Sequence, residues 1–139
     1  MTNPTPTGSE KMPFNDVEKN YKDQLYPHSY VALCSNLKIT LGVTTTKFNP
    51  YGNITTGQVA TMIVRAAKSG NINLKTPPKN YEPPFKNFGA PHYENDRVAA
   101  YNGLFAGIQG YSSKKCTLDF WKPATRGEVA IMLYNLMEK

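Results

Sequence analysis

Two stretches of this chain repeat one another, and that repeat limits the available folds more than any other feature. Gly57 and Gly127 stand 70 positions apart, and Thr55, Gln58, Val59, Met62, Ile63, Ala66 and Ala67 correspond at the same offset to Thr125, Glu128, Val129, Met132, Leu133, Leu136 and Met137. Each copy opens with a threonine followed three residues later by glutamine or glutamate, the pattern of a capping box. Behind each box the apolar residues fall at i, i+3, i+4, i+7 and i+8, the single stripe of an amphipathic helix. The correspondence extends upstream, pairing Tyr51 with Trp121 and Phe48 with Leu118. A unit that recurs in this way cannot bury its own apolar face and needs a neighbour.

The chain is 139 residues long with 40% hydrophobic residues, enough for one ordinary domain or two small repeats around a shared core. No apolar run approaches the roughly 18 residues of a membrane span. The opening residues, MTNPTPTGSEKMP, lack the apolar segment of a signal peptide and read as a tail or linker. The formal net charge of +6 suits an acidic partner, but the basic residues are scattered, with no basic face or nucleic-acid reader motif. Nucleic acid is therefore not an expected partner. Cys34 and Cys116 are too few for a disulfide framework and lack metal-ligand spacing, although a single bridge between them stays open.

In chain order, residues 1–12 read as a flexible tail, 13–68 as the first repeat, 69–84 as a Pro/Asn/Gly-rich linker and 85–139 as the second repeat. The first repeat opens with the turn Phe14-Asn15-Asp16-Val17. A helical segment follows over 21–36, with Pro27 in its first turn and Tyr30, Leu33, Cys34 and Leu37 as apolar members. Gly42 is placed to turn the chain. The second repeat opens at Phe85-Lys86-Asn87-Phe88, with a helix over 93–102 ended by Gly103. The expected fold is all-α: two helix–loop–helix repeats packed in pseudo-symmetric fashion.

These residues resemble the S-layer homology (SLH) family, whose repeat runs roughly F-x-D-V, an aromatic, a helix ending near G-I-x-x-G, then F-x-P-x-x-x-I-T-R-x-E and a second helix. The resemblance rests on Phe14-Asn15-Asp16-Val17, Phe48-Asn49-Pro50 and Ile54-Thr55-Thr56-Gly57-Gln58 in the first repeat. In the second it rests on Phe88, Tyr93, Gly103 to Gly107 and Thr125-Arg126-Gly127-Glu128. It implies a module of the bacterial envelope that fastens a secreted protein to an anionic secondary cell-wall polysaccharide, often one carrying pyruvate ketals. Three departures stand out. There are two repeats where the family usually has three, Thr56 stands where the first motif arginine would be, and Asn87-Phe88-Gly89 lacks the aspartate of F-x-D-V. A missing third repeat predicts self-association or a further repeat in the parent chain. The other functions left open are a protein-interaction or oligomerisation module and an accessory domain of a secreted wall hydrolase.

The resemblance implies a ligand-facing set of Arg126, Trp121, Thr125 and Glu128, with Tyr51, Thr56, Gln58 and Asp16 from the first repeat. Arg126 is the sharpest of these, because a cation at the first position of a helix opposes the macrodipole. A guanidinium beside free helix amides is a ready anion site. The alternative is an ion pair with Asp16 or Glu128. Trp121 can lie on a sugar face or plug the contact between repeats. Thr55, Gln58, Thr125 and Glu128 are most simply caps. No catalytic residue is expected, since Glu128 has no partner carboxylate in view and neither His28 nor His92 sits in a triad or metal pattern. No cofactor or metal is expected.

Overall fold

A computed structural model describes residues 4–19 and 28–139. Among them the regular elements are four α-helices: α1 His28–Asn36, α2 Thr56–Ser69, α3 Tyr93–Tyr101 and α4 Arg126–Met137. The expected all-α class is what these residues form. Extended pairing among them is confined to two isolated bridges, Thr55 with Pro123 and Tyr111 with Cys116. The part of the expected first helix that precedes His28 lies outside the described residues. The chain divides into two compact units, Met1–Gly52 and Asn53–Lys139. The division falls inside the stretch read from sequence as the first repeat.

In the first unit, Phe14, Val17 and Val31 are buried together, with Met12 and Phe48 packed on them. Asp16 fastens this small core by accepting the N–H groups of Phe48 (2.9 Å) and Asn49 (2.8 Å). Gly42 adopts φ +76, and a Cβ there would stand 2.4 Å from Phe14 Cε1, so only glycine fits. The buried residues of α1 are Val31, Ala32 and Ser35. Of the apolar members read in the sequence, Tyr30 is exposed, and Leu33, Cys34 and Leu37 are half-buried. The helix is thus rotated from the stripe read in the sequence, toward the Phe14–Val17 turn. Both cysteines are free thiols.

In the second unit, α2 packs against both α3 and α4. Its two-sided burial takes in Val59, Ala60, Ile63, Val64 and Ala67, with Met62 half-buried. They join Ala99, Ala100, Leu104, Phe105, Ile108, Phe120, Met132 and Leu136 in one core. The matching stripe on α4 needs correction. Its buried residues are Glu128, Met132 and Leu136, a narrow i, i+4, i+8 row, while Leu133 is 45% and Met137 81% exposed. The cause is position: α4 contacts one helix, α2, and otherwise holds the 104–106 turn through Asn135, whose amide donates to the carbonyls of Leu104 (3.0 Å) and Ala106 (2.8 Å). A helix with one neighbour buries a narrower face than one with two.

Of residues 69–84, read as a linker, Ser69 ends α2 and the stretch after it is fastened to α3. Asn102 exchanges two 2.8 Å hydrogen bonds with the N–H and C=O of Lys75. Arg97 donates to the carbonyls of Tyr81 and Pro78 and lies 5.7 Å over the Tyr81 ring.

Candidate functional site

The repeated helix starts have the same backbone geometry. Thr55 (φ −80, ψ 158) and Thr125 (φ −85, ψ 156) are both N-caps, accepting from the N–H groups of Gln58 and Glu128 respectively. Only the first forms a complete capping box, with Gln58 Oε1 accepting from Thr55 N–H at 2.9 Å. At the second, the expected return bond from the Thr125 N–H to Glu128 is not formed. Three other donors hold that carboxylate. Thr56 Oγ1 donates to Oε2 at 2.9 Å, Lys122 Nζ lies 3.1 Å from Oε1, and Thr125 Oγ1 donates to Oε1 at 3.2 Å. Burial pushes the Glu128 carboxyl up, but Lys122 and the two hydroxyls outweigh it and hold the group below its ordinary value.

The loop before α4 closes the start of α2. The carbonyls of Lys122 and Phe120 accept the N–H groups of Thr56 (3.1 Å) and Gly57 (3.0 Å), and Ala124 N–H donates to Ile54 at 2.8 Å. Gly57 is needed for this approach: a Cβ would stand 2.9 Å from Asp96 Oδ2 and 3.3 Å from the Phe120 carbonyl. Phe120 anchors the loop in an aromatic cluster, with ring centroids 4.5 Å from Phe85, 5.3 Å from Phe88 and 5.4 Å from Phe105. Trp121, whose backbone N–H donates to Asp119 Oδ1, is 56% exposed. Its ring meets Phe88 edgewise at 5.8 Å and His92 at 6.4 Å.

The start of α4 is open. Among the described residues, the N–H groups of Arg126 and Gly127 have no hydrogen-bond partner, and the Arg126 guanidinium has neither a hydrogen bond nor an ion pair. Both residues are exposed. Within the second unit, Glu128, one partner considered for Arg126, pairs with Lys122 instead; Asp16 belongs to the first unit, where it binds the backbone of the 48–49 loop.

Of the eight expected site residues, Thr56, Thr125 and Glu128 come together in the hydrogen-bonded junction between α2 and α4. Thr56 is fully buried there. Gln58 closes its own cap, and Trp121 and Arg126 lie exposed at the two ends of the 121–126 loop. Asp16 and Tyr51 belong to the other unit. There Asp16 is a loop anchor, its carboxyl held low by the Phe48 and Asn49 N–H groups against the effect of desolvation, and Tyr51 is 83% exposed.

Sequence reasoning missed a polar group behind Trp121. Thr61 Oγ1 lies 2.9 Å from His92 Nδ1 and 3.4 Å from Asp96 Oδ1. Asp96 is 0% exposed, and its Oδ2 has no partner among the described residues. Burial raises its pKa to about 8, against a smaller lowering by Thr61. His92 is held below its ordinary value, first by burial and then by Arg65. The available signal was the register of Asp96, three and four positions before Ala99 and Ala100, which puts a carboxylate on the buried side of α3.

Among the described residues no cluster of three or more His, Cys, Asp or Glu side chains is placed to hold a metal ion, and no helix is long and apolar enough to cross a membrane. Comparison with known protein families, with curated proteins and with solved structures returns no match.

Proposed function

We propose that this chain is a non-catalytic anchoring module that binds an anionic cell-wall glycan, pyruvylated polymers included, at the surface of a bacterium. Arg126 and the open amides of α4 receive a carboxylate or phosphate, and Trp121 packs on a sugar face. The two capped helices are, in this reading, equivalent parts of two SLH-like repeats. The observation that carries it is the contrast between the two helix starts. The amides of Thr56 and Gly57 are closed by loop carbonyls, whereas those of Arg126 and Gly127 face solvent beside an unpaired guanidinium. An anion there meets both the helix dipole and a planar donor fork.

The test is sedimentation with purified walls before and after removal of their secondary polysaccharide. A charged hydrogen bond contributes roughly 1.5–3 kcal/mol, so Arg126→Ala is expected to weaken retention by about one to two decades. Arg126→Lys restores part of it, because the fork is lost. Melting temperature stays unchanged in both. Full retention by folded Arg126→Ala protein would end the ligand role.

A second reading has its own observation. Leu133, Tyr134 and Met137 are exposed at i, i+1 and i+4 on one side of α4. Contiguous exposed apolar surface of this kind marks interfaces, so this face supports self-association or a protein partner. Light scattering on the wild type and on Tyr134→Lys checks it, with a concentration-dependent mass lost in the variant as the expected result.

A further inference from the structure

We infer that His92 is an additional ligand contact of the Trp121 surface, and that Thr61 and Asp96 behind it fix its outward ring nitrogen as a hydrogen-bond donor. The inference rests on the glycan reading for the ligand's identity, but its proton arrangement stands on this chain's geometry alone.

His92 borders Trp121, ring to ring at 6.4 Å, on the half-exposed flank of the aromatic cluster. Its Nδ1 is occupied by Thr61. Its Nε2 has no hydrogen-bond partner among the described residues, and the ring is half-exposed beside the indole. A histidine whose inner nitrogen is engaged presents the other one in a defined state.

Which state it presents depends on one hydroxyl proton. Thr61 can donate to His92 Nδ1 or to Asp96 Oδ1, not to both. A protonated Asp96 donates from Oδ1 to Thr61 Oγ1, Thr61 donates to Nδ1, and the proton of the neutral imidazole sits on Nε2. An ionised Asp96 accepts the hydrogen bond of the Thr61 hydroxyl at Oδ1. His92 then donates from Nδ1, and Nε2 carries a lone pair outward. In this exchange the ring gains a proton at Nδ1 and loses one from Nε2 to solvent, which balances the proton given up by Asp96; the imidazole stays neutral and its tautomer alone changes.

Burial keeps Asp96 protonated at neutral pH, with a pKa of about 8. No charged side chain of the described residues shifts it. Arg97, on the same helix, is turned to Tyr81 and Glu94, and Lys122 of the facing loop is turned to Glu128. From α2, Arg65 acts on His92 and favours its neutral form. The neutral-pH surface therefore offers Nε2–H, which matches a carboxylate or phosphate, groups that accept and cannot donate. Above about pH 8 the same atom becomes an acceptor and faces the anion with a lone pair.

The experiment has two arms. In the first, 15N spectra of the His92 ring are recorded from pH 7 to 9.5 without ligand. The Nε2–H tautomer is expected at pH 7, giving way to Nδ1–H through about pH 8 in the wild type and staying pH-independent in Asp96→Asn. An Nδ1–H tautomer at pH 7, or the same transition in Asp96→Asn, overturns the relay. In the second arm, purified walls are used as the probe. His92→Asn keeps an amide near the Nδ1 position for Thr61 and removes the outward nitrogen. Retention is expected to fall about three- to tenfold at an unchanged melting temperature. His92→Gln, which places its amide nitrogen near Nε2, recovers most of it. Loss on Arg126→Ala with full retention by His92→Asn overturns the His92 contact and leaves the Arg126 reading standing. Full retention by Arg126→Ala ends that reading by itself, and wild-type protein that leaves walls unbound ends both.

Discussion

Asp96→Asn is expected to stabilise the protein, and to do so only above acidic pH. The Asp96 carboxyl is fully buried with one oxygen unpartnered, and its folded-state pKa is raised to about 8. An unfolded aspartate titrates near 3.9. Below that value both states are protonated and the group costs nothing by ionisation. Between about pH 4 and 8 the unfolded chain loses the proton while the folded chain keeps it, so folding stability falls by about 1.4 kcal/mol per pH unit. At pH 7 the accumulated penalty is about 4 kcal/mol, a large part of the 5–15 kcal/mol typical of a domain. Asparagine removes the titration while keeping the shape, although its amide is still buried. The expected gain is about 2–4 kcal/mol at pH 7, about 1.4 kcal/mol more at pH 9 and close to zero at pH 4. Urea unfolding of both proteins at the three pH values measures it, and taking the difference between them cancels every other titrating group. A gain equal at all three values, or a wild type relatively more stable at pH 9 than at pH 4, would refute the assignment of a buried, protonated Asp96.

Further predictions separate neighbouring positions. Met132→Asp places a charge where the side chain is fully buried and is expected to cost several kcal/mol, whereas Leu133→Asp, one residue on and 45% exposed, is expected to change stability by less than about 1 kcal/mol; thermal melts of the pair test the corrected face of α4. Thr56→Val removes the 2.9 Å bond to Glu128 and leaves Lys122 as the main counter-charge, with an expected loss of about 1.5–3 kcal/mol by denaturant titration. Gly57→Ala sets a methyl 2.9 Å from Asp96 Oδ2 and 3.3 Å from the Phe120 carbonyl; a loss of about 1–3 kcal/mol in the same titration is expected, and none at all would mean the loop is not closed on α2.

How much was legible in the sequence follows from how local each feature is. The helix starts were readable because a threonine cap with glutamine or glutamate at the third position needs nothing outside its own turn, and both caps form at Thr55 and Thr125. The destination of the Glu128 side chain was not readable. It depends on Thr56 and Lys122, which reach it only when the loop before α4 crosses the start of α2. The two apolar stripes looked alike because periodicity reports which residues are apolar, not how many neighbours a helix has. Leu133 and Met137 stay exposed for want of a second packing partner. The repeat also suggested like environments for Thr56 and Arg126, yet one is fully buried and the other lies in solvent. His92 and Asp96 were passed over because no short spacing links them to Thr61, which approaches from another helix.

The difference between Thr56 and Arg126, 70 residues apart in the sequence, has a physical origin at the helix starts. Residues 118–125 can close α2 because Phe120 is anchored among Phe85, Phe88 and Phe105, which fixes its own carbonyl and that of Lys122 at the helix start. In the second unit the contribution from ahead of α2 is the Ile54 carbonyl, which accepts from Ala124, two residues short of α4. The α4 start therefore keeps two solvent-facing amides, and with them a cation at the positive end of a dipole, an arrangement unfavourable by about 0.3–1 kcal/mol. Thr56 in that role on α2 carries no charge and forms its bond to Glu128 instead. An anion bound at Arg126 would remove the unfavourable term and supply the missing acceptors at once, so of Thr56 and Arg126 the one left unfavourable in the free protein is the one that gains from a ligand.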